Sequence, residues 1–400
     1  MKTSGRLFVA TQFYPPDKST TATYLGQIAR ALASDNEVIV VSGTAGSRAP
    51  GAETTPEVVE VRSWSPKKRA LVRRAIAICA LAAGMFFAVL RRAGRNDTVF
   101  CVTTPFTLPY TVVLAAWLRG AATVLLIYDL YPEALEAAKF IQPTSISARL
   151  LRFANSLLFR TLDAIIVIGR DTPSLLTRYS GVLPTKIHFI PNWALIPIGY
   201  RELDPNNPFR ASLRGKFVVG LSGNLGFTHD PKAVFEAAKL LAGDKDIHFL
   251  FAGWGVGWNE LSELAASEQL ANVTVMAPVP DDELVDFLSA ADVWVIPYRQ
   301  NIAGVSIPSR LYNLLAVGRP IIVCSESHSE AAIVLSEEAI GWVVPPEDPA
   351  QLARAIADAA TDRSGTAAKG RQAAIVAHKY SKEAATKRYR EIVGAAANRP

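Results

Sequence analysis

The sequence predicts an α/β fold made of two doubly wound, Rossmann-like domains, and three observations predict it. Short apolar runs such as Leu7-Phe8-Val9-Ala10-Thr11 alternate with helical stretches along the chain, the pattern of buried parallel strands joined by helices. Midway, residues 196–215 place Pro197, Gly199, Pro205 and Pro208 among polar residues, which reads as a linker. The same alternation then restarts at Phe217-Val218-Val219-Gly220-Leu221. A chain of 400 residues, 50% hydrophobic, suits two such domains with a cleft between them.

Taken in order, the strand Leu7–Thr11 leads through Gln12-Phe13-Tyr14-Pro15-Pro16 into a helix over Thr20–Ala33 and a strand over Glu37–Ser42. In a doubly wound sheet ligands bind beyond the C-terminal strand ends, so the loop at 12–23 faces a binding crevice. It holds no Gly-x-Gly-x-x-Gly, and a dinucleotide fingerprint is therefore absent. Residues 75–90 carry no charge and are flanked by Arg73-Arg74 and Arg91-Arg92. The run is shorter than the roughly 20 residues of a membrane-spanning helix. Two readings stand, a wholly buried core helix or a helix lying in a membrane face with its arginines on phosphates; a membrane surface contacted through 70–95 is the preferred one.

Alternation resumes with a strand at Thr98–Thr103, the loop Thr104-Pro105-Phe106, a helix near 109–118 and a strand at Thr123–Tyr128. This strand ends in Asp129-Leu130-Tyr131-Pro132-Glu133. Two carboxylates at a strand's C-terminal end are candidate active-site groups. Read plainly, Glu133 is a helix N-terminal charge and Asp129 a cap. A helix near 146–160, a strand at Asp163–Ile168, a helix near 171–179 and the run Ile187–Trp193 complete the first domain. In the second, further strands fall at His248–Ala252, Asn272–Met276 and Val293–Pro297, and the last helices near 349–361, 366–378 and 382–396.

The net charge of +6 is spread rather than clustered, which favours an anionic substrate or membrane surface and gives no nucleic-acid signal. Cys79, Cys101 and Cys324 sit in apolar segments without metal-ligand spacing and read as buried thiols of a reducing compartment. Met1–Arg6 has no signal-peptide character, so a cytoplasmic location is expected.

Three stretches of the second domain carry the chemistry. Ser306–Pro320 reads as a loop, a helix N-capped by Ser309, a left-handed C-cap at Gly318 and a stop at Pro320. Its serines, Arg310 and helix N-terminus suit a diphosphate, although an ordinary capped helix shows the same signs. Ser222-Gly223-Asn224-Leu225-Gly226 is a strand-to-helix turn whose glycines admit close approach of a ligand to backbone amides. Gly253-Trp254-Gly255-Val256-Gly257 is a similar turn at the next strand end. His229 either touches phosphate or simply starts a surface helix.

With these residues in view, the chain resembles the retaining glycosyltransferases of family four, which have the GT-B fold, over nearly its whole length. It is most similar to the bacterial subgroup that builds O-antigen and exopolysaccharide on lipid carriers. The markers are Phe13-Tyr14-Pro15-Pro16, Asp129–Glu133, Ile190-Pro191-Asn192, Ser222–Gly226, Pro308-Ser309-Arg310 and Ala316-Val317-Gly318-Arg319-Pro320. The resemblance implies domains at 1–195 for the acceptor and 196–379 for a nucleotide sugar, with a helix in 380–400 crossing back to the first. Gly223, Asn224 and Gly226 would lie along the donor diphosphate, with Ser306, Ser309 and Arg310 on its other side. Pro278 and Val279 would border the base, a UDP-sugar being favoured, and the acceptor, lipid-linked or saccharide, would cross the loops at 12–23 and 103–106.

The family's two glutamates eight positions apart are replaced by Val305 and Asn313, the latter still able to bond a ribose hydroxyl, and Tyr128 stands where many members have histidine. Catalysis is expected of Arg310 at the leaving diphosphate and of Asp129 at the acceptor hydroxyl, with Glu133 nearby. No cofactor beyond the nucleotide sugar is expected, and no metal, because no Asp-x-Asp clamp occurs where one would be needed. Rival readings are a catalytically silent sugar-nucleotide-binding or scaffold protein, an epimerase of the same fold, and an NAD-dependent oxidoreductase.

Overall fold

The computed structural model describes residues 5–47, 56–64 and 71–398. The first half of the chain runs β1 (Leu7–Thr11), α1 (Thr20–Leu32), β2 (Val38–Ser42), β3 (Glu57–Glu60), α2 (Leu71–Arg92), β4 (Thr98–Val102) and α3 (Leu108–Leu118). It continues with β5 (Ala122–Ile127), α4 (Glu133–Ala137), α5 (Ile146–Thr161), β6 (Ala164–Val167), α6 (Thr172–Leu176) and β7 (Ile187–Phe189). The second half opens with β8 (Phe217–Asn224), α7 (Pro231–Leu240), β9 (Ile247–Trp254), α8 (Val256–Glu268), β10 (Val273–Met276), α9 (Leu284–Ser289) and β11 (Val293–Pro297). Then come α10 (Arg310–Ala316), β12 (Ile321–Cys324), α11 (Glu330–Glu338), β13 (Gly341–Val344), α12 (Pro349–Thr361), α13 (Arg363–Ala377) and α14 (Lys382–Ala397).

The chain divides into two compact units, 1–132 with 143–191 and 383–400, and 133–142 with 192–382. The segment 133–142, which the sequence placed with the first domain, thus groups with the second unit. The first unit holds a seven-stranded sheet in the order β3-β2-β1-β4-β5-β6-β7, the second a six-stranded sheet in the order β10-β9-β8-β11-β12-β13. The strand pairs in both are parallel. Parallel strands covered by helices on both faces must be apolar throughout. Every residue of β1, β2, β4, β5 and β6 is accordingly buried, as is every residue of β11 and β12.

Helix starts follow local chemistry. The hydroxyls of Ser19, Ser145 and Ser329 accept from the N–H three residues on, as do the carboxylates of Asp230 and Asp348, each bond worth about 1 kcal/mol. Pro231 and Pro349 then occupy the first helical position, where no N–H is needed. At the root of the second sheet Arg210 Nη1 meets Asp292 Oδ2 at 2.7 Å, with both side chains 9% exposed. The guanidinium also donates to the carbonyls of Ala290 and Lys216, and Asp292 accepts the N–H of Val218. A buried pair satisfied this fully ties the segment before β8 to the strand beside it.

Helix α14 belongs to the first unit. Its Tyr389, 1% exposed, packs edge-on against Phe100 of β4, and Arg390 pairs with Asp35 beyond α1.

Helix α2 corrects one expectation. It is neither wholly buried nor amphipathic in the usual sense: Leu81, Met85 and Val89 are buried, whereas Ile76 and Phe87 are exposed. Cys79 lies on the outward side and is exposed, so only Cys101 and Cys324 are the buried thiols the sequence suggested. The uncharged stretch 75–90 gives no sequence cue to which side faces in, and Cys79 fell on the outer one. Ala70 and the side chains of Leu71, Val72, Arg74 and Ala75 lie outside the described residues.

Candidate active site

The second sheet reverses its winding between β8 and β11, since the chain leaves β8 for β9 on one side and returns to β11 on the other. The loops that follow these two strands diverge and leave a crevice at their C-terminal ends, the place where open α/β sheets bind ligands. Gly223 and Asn224 end β8 at that crevice and Gly226 follows them into it. Tyr298, Ser306, Ser309 and Arg310 reach it from β11.

The turn after β8 is built from main chain. Gly223 has φ +85, a conformation that side chains disfavour. Beneath it, a Cβ on Gly253 would stand 2.3 Å from Gly223 O, and one on Gly255 (φ +109) 2.5 Å from Asn224 Oδ1. The glycines at the end of β9 and just beyond it therefore let that backbone support the end of β8 at close range. Gly226 differs, because a Cβ there would meet nothing nearer than His229 Nδ1 at 4.0 Å. Arg299 N donates to Thr228 O at 2.9 Å and Asp230 N to Pro297 O at 3.0 Å, so the two loops are stitched together across the crevice. Among the described residues no acceptor takes the N–H of Gly226, Phe227 or Thr228, nor that of Ser309 or Arg310.

Arg310, the first residue of α10, is half-buried and donates to the carbonyls of Ser222 and Asn224, on either side of Gly223. Its Nη2 also lies 3.3 Å from His229 Nε2. Among the described residues it forms no ion pair with a carboxylate. Burial lowers its pKa to about 10, opposed by Tyr298, which leaves it a cation at neutral pH. Burial first, then Arg310 and Arg299, hold His229 well below the ordinary histidine value. The neutral ring stacks on Tyr298 with centroids 5.0 Å apart. Two cationic side chains, a neutral imidazole and a set of undonated amides make a site for an anion.

The remaining candidates are placed as follows. Ser309 precedes α10 at the N-cap position, but its backbone is helical and its side chain makes no capping bond, contrary to the sequence expectation. Ser306 is half-buried. Asn313 Oδ1 accepts the N–H of Leu195 at 2.8 Å, which holds the side chain while leaving its NH₂ and a second carbonyl lone pair for a ligand. Val305 is buried. Pro278 and Val279 follow β10 on the same edge of the sheet, Pro278 exposed and Val279 half-buried. Gly318 (φ +70) closes α10 as expected: its N–H donates to Leu315 O and that of Arg319 to Leu314 O.

In the first unit the winding reverses between β1 and β4, which places the loops at 12–19 and 103–107 at its switch point. Thr103 Oγ1 accepts the N–H of Tyr128 at 3.1 Å and of Asp129 at 3.3 Å, fixing the turn after β5. Burial, with a further contribution from Asp129, raises the Tyr131 phenol. The structure places Asp129 in the first unit and Glu133, in the first turn of α4, in the second. The sequence reading did not foresee His229 as the partner of Arg310, nor Tyr298 as its support. The position of Tyr298 directly after β11 was the one available sign.

Comparison with known proteins follows the division into two halves. Residues 205–377 match the family model described as glycosyl transferases group 1, and residues 19–193 the one described as glycosyl transferase 4-like domain. The probable glycosyltransferase WbjE of Pseudomonas aeruginosa is 28% identical over 356 residues, covering 88% of each chain. The putative colanic acid biosynthesis glycosyl transferase WcaI of Escherichia coli K12 is 26% identical over 342 residues, 79% of this chain and 82% of that one. Among solved structures, Anabaena Alr3699/HepE in complex with UDP and glucose superposes with a TM-score of 0.70 at 16% identity, over 98% of this chain and 100% of that one. This likeness establishes the GT-B fold.

Proposed function

The chain belongs to the glycosyltransferases, and from that premise we propose that it moves a sugar from a nucleoside-diphosphate donor, a UDP-sugar by preference, to a lipid-linked or saccharide acceptor in cell-surface polysaccharide synthesis. The observation that carries the donor assignment is Arg310, which among the described residues is a cation without a carboxylate partner, at the switch point of the second sheet and beside amides on both loops that find no acceptor there. The relative named for colanic acid biosynthesis and the neighbour holding UDP support the same reading.

In this reading the diphosphate lies between Gly223–Gly226 and Ser306–Arg310, with Pro278 and Val279 towards the base. As the bond from sugar to phosphate breaks, negative charge grows on the leaving diphosphate. Arg310 and the fixed amides stabilise it without reorganising, because the main-chain stitches already hold the loops in place. With Val305 and Asn313 in place of carboxylates, the donor side supplies electrostatics and no base. Asp129 steers or accepts the acceptor's hydroxyl proton, with Glu133 as a second carboxylate, and the sugar keeps its configuration. The acceptor meets the loops at 12–23 and 103–106, and residues 70–95 rest on the cytoplasmic face of a membrane. No helix among the described residues is long and apolar enough to cross one.

A thermal-shift series with UDP, GDP, TDP, ADP and NAD, without metal, tests the donor site. Stabilisation by one nucleoside diphosphate that Arg310→Ala abolishes is the expected result. Stabilisation by NAD alone would replace this reading with an oxidoreductase.

A further inference from the structure

Helices α2, α3 and α5 join β3 to β4, β4 to β5 and β5 to β6, all in the same direction across the first sheet. Right-handed crossovers put them on one face, and α3 packs between the other two. Each buries one stripe against the sheet and turns a second apolar stripe to solvent. Ile76 and Phe87 stand out from α2, Leu114 and Trp117 from α3, and Leu150 and Phe153 from α5, each 48–64% exposed. Single exposed apolar residues need no explanation, but a run across three neighbouring helices marks a contact surface.

Charge identifies what covers it. None of the three helices contains an aspartate or glutamate. Arg73, Arg91 and Arg149 are exposed, and none forms an ion pair among the described residues. In the sequence Lys67, Lys68 and Arg69 lead into α2. A second copy of the chain would bring an equally basic face against this one, which like-charge repulsion opposes. An anionic bilayer offers apolar depth to the stripes and phosphates to the arginines at once.

We propose that the outward faces of α2, α3 and α5 together form one docking surface for an anionic lipid bilayer. This rests on the membrane reading of residues 70–95 and goes beyond it, because most of the apolar surface is assigned to α3 and α5. The partner is the bilayer itself, and donor chemistry in the second unit plays no part in holding it.

The test is flotation of the full chain with vesicles of phosphatidylcholine and phosphatidylglycerol in equal parts, and with phosphatidylcholine alone. Three double variants are compared with the wild type: Ile76→Ser with Phe87→Ser, Leu114→Ser with Trp117→Ser, and Leu150→Ser with Phe153→Ser. All six positions are exposed, so unchanged thermal midpoints and an unchanged nucleotide-induced shift certify fold and donor site. Expected is flotation with the anionic vesicles and not the neutral ones, weakened about tenfold or more by each pair separately. Loss of flotation in the α2 pair alone would overturn this inference while leaving the 70–95 reading intact. Failure of the folded wild type to float would overturn both and leave the glycosyltransferase assignment standing. A lipid-free dimer in sedimentation equilibrium that the same substitutions dissolve would assign the surface to a second copy instead.

Discussion

Nη2 of Arg310 stands 3.3 Å from Nε2 of His229, and this contact works only while the imidazole is neutral. An arginine can only donate, so Nε2 is the acceptor and the ring proton sits on Nδ1, facing Thr228 Oγ1 at 3.3 Å. Protonation of His229 would set two cations side by side. The histidine thus fixes the guanidinium between two carbonyls without adding to the charge of the site.

That relationship has a pH signature. The folded-state pKa of His229 lies well below 6.5, so the unfolded chain takes up the proton first as pH falls. Stability is full above about 6.5 and declines as pH drops from there towards the folded value. Thermal midpoints across this range should fall more steeply for the wild type than for His229→Gln, which cannot titrate. Parallel curves would remove His229 from the linkage.

Arg310→Ala should lower kcat about 10²–10³-fold by deleting the charge facing the leaving group. Arg310→Lys should restore little, because an ammonium cannot span the carbonyls of Ser222 and Asn224 together. Steady-state transfer kinetics decide, and rates near wild type in either variant would refute the role.

The two kinds of glycine in the crevice separate support from contact. Gly255→Ala puts a Cβ into Asn224 Oδ1 at a left-handed position and should cost at least about 1–2 kcal/mol of stability in denaturant unfolding. Gly226→Ala adds its methyl to open space. It should leave the unfolding curve unchanged and weaken nucleotide binding, measured by calorimetry.

Arg210→Ala should destabilise the chain by about 3–5 kcal/mol, since it strands the buried Asp292 carboxylate. Equilibrium unfolding in urea measures this, and a loss near zero would mean that solvent reaches the pair.

Chelation should leave transfer unchanged if Arg310 and the loop amides carry the leaving-group charge. Activity that disappears with EDTA and returns with a divalent cation would require a different account of that step.

How far the sequence could be read depended on burial and on distance along the chain. Strands β1, β11 and β12 were legible to the residue because a fully buried parallel strand is apolar from end to end. The edge strands β3 and β13 were not recognised: Glu57-Val58-Val59-Glu60 is half-exposed and mostly reads as loop. Helix α2 was legible as a helix but not in its orientation, since both of its sides are apolar. In the site, glycines and caps betrayed the loops at 222–226 and 306–320, and the family resemblance joined them. The contact of His229 with Arg310 was beyond reach, because it exists only through the adjacency of β8 and β11.

The packing of α14 on the first sheet also orders the biosynthesis of the protein. Residues 383–397, which carry Tyr389 and Arg390, are made after the entire 192–382 portion of the second unit. On a translating ribosome the second unit can therefore be complete while the first still exposes the surface over Phe100 that Tyr389 will cover. The half of the molecule that emerges first waits longest for its last helix, and a chain lacking α14 would leave the first unit, rather than the helix's own neighbour in sequence, unfinished.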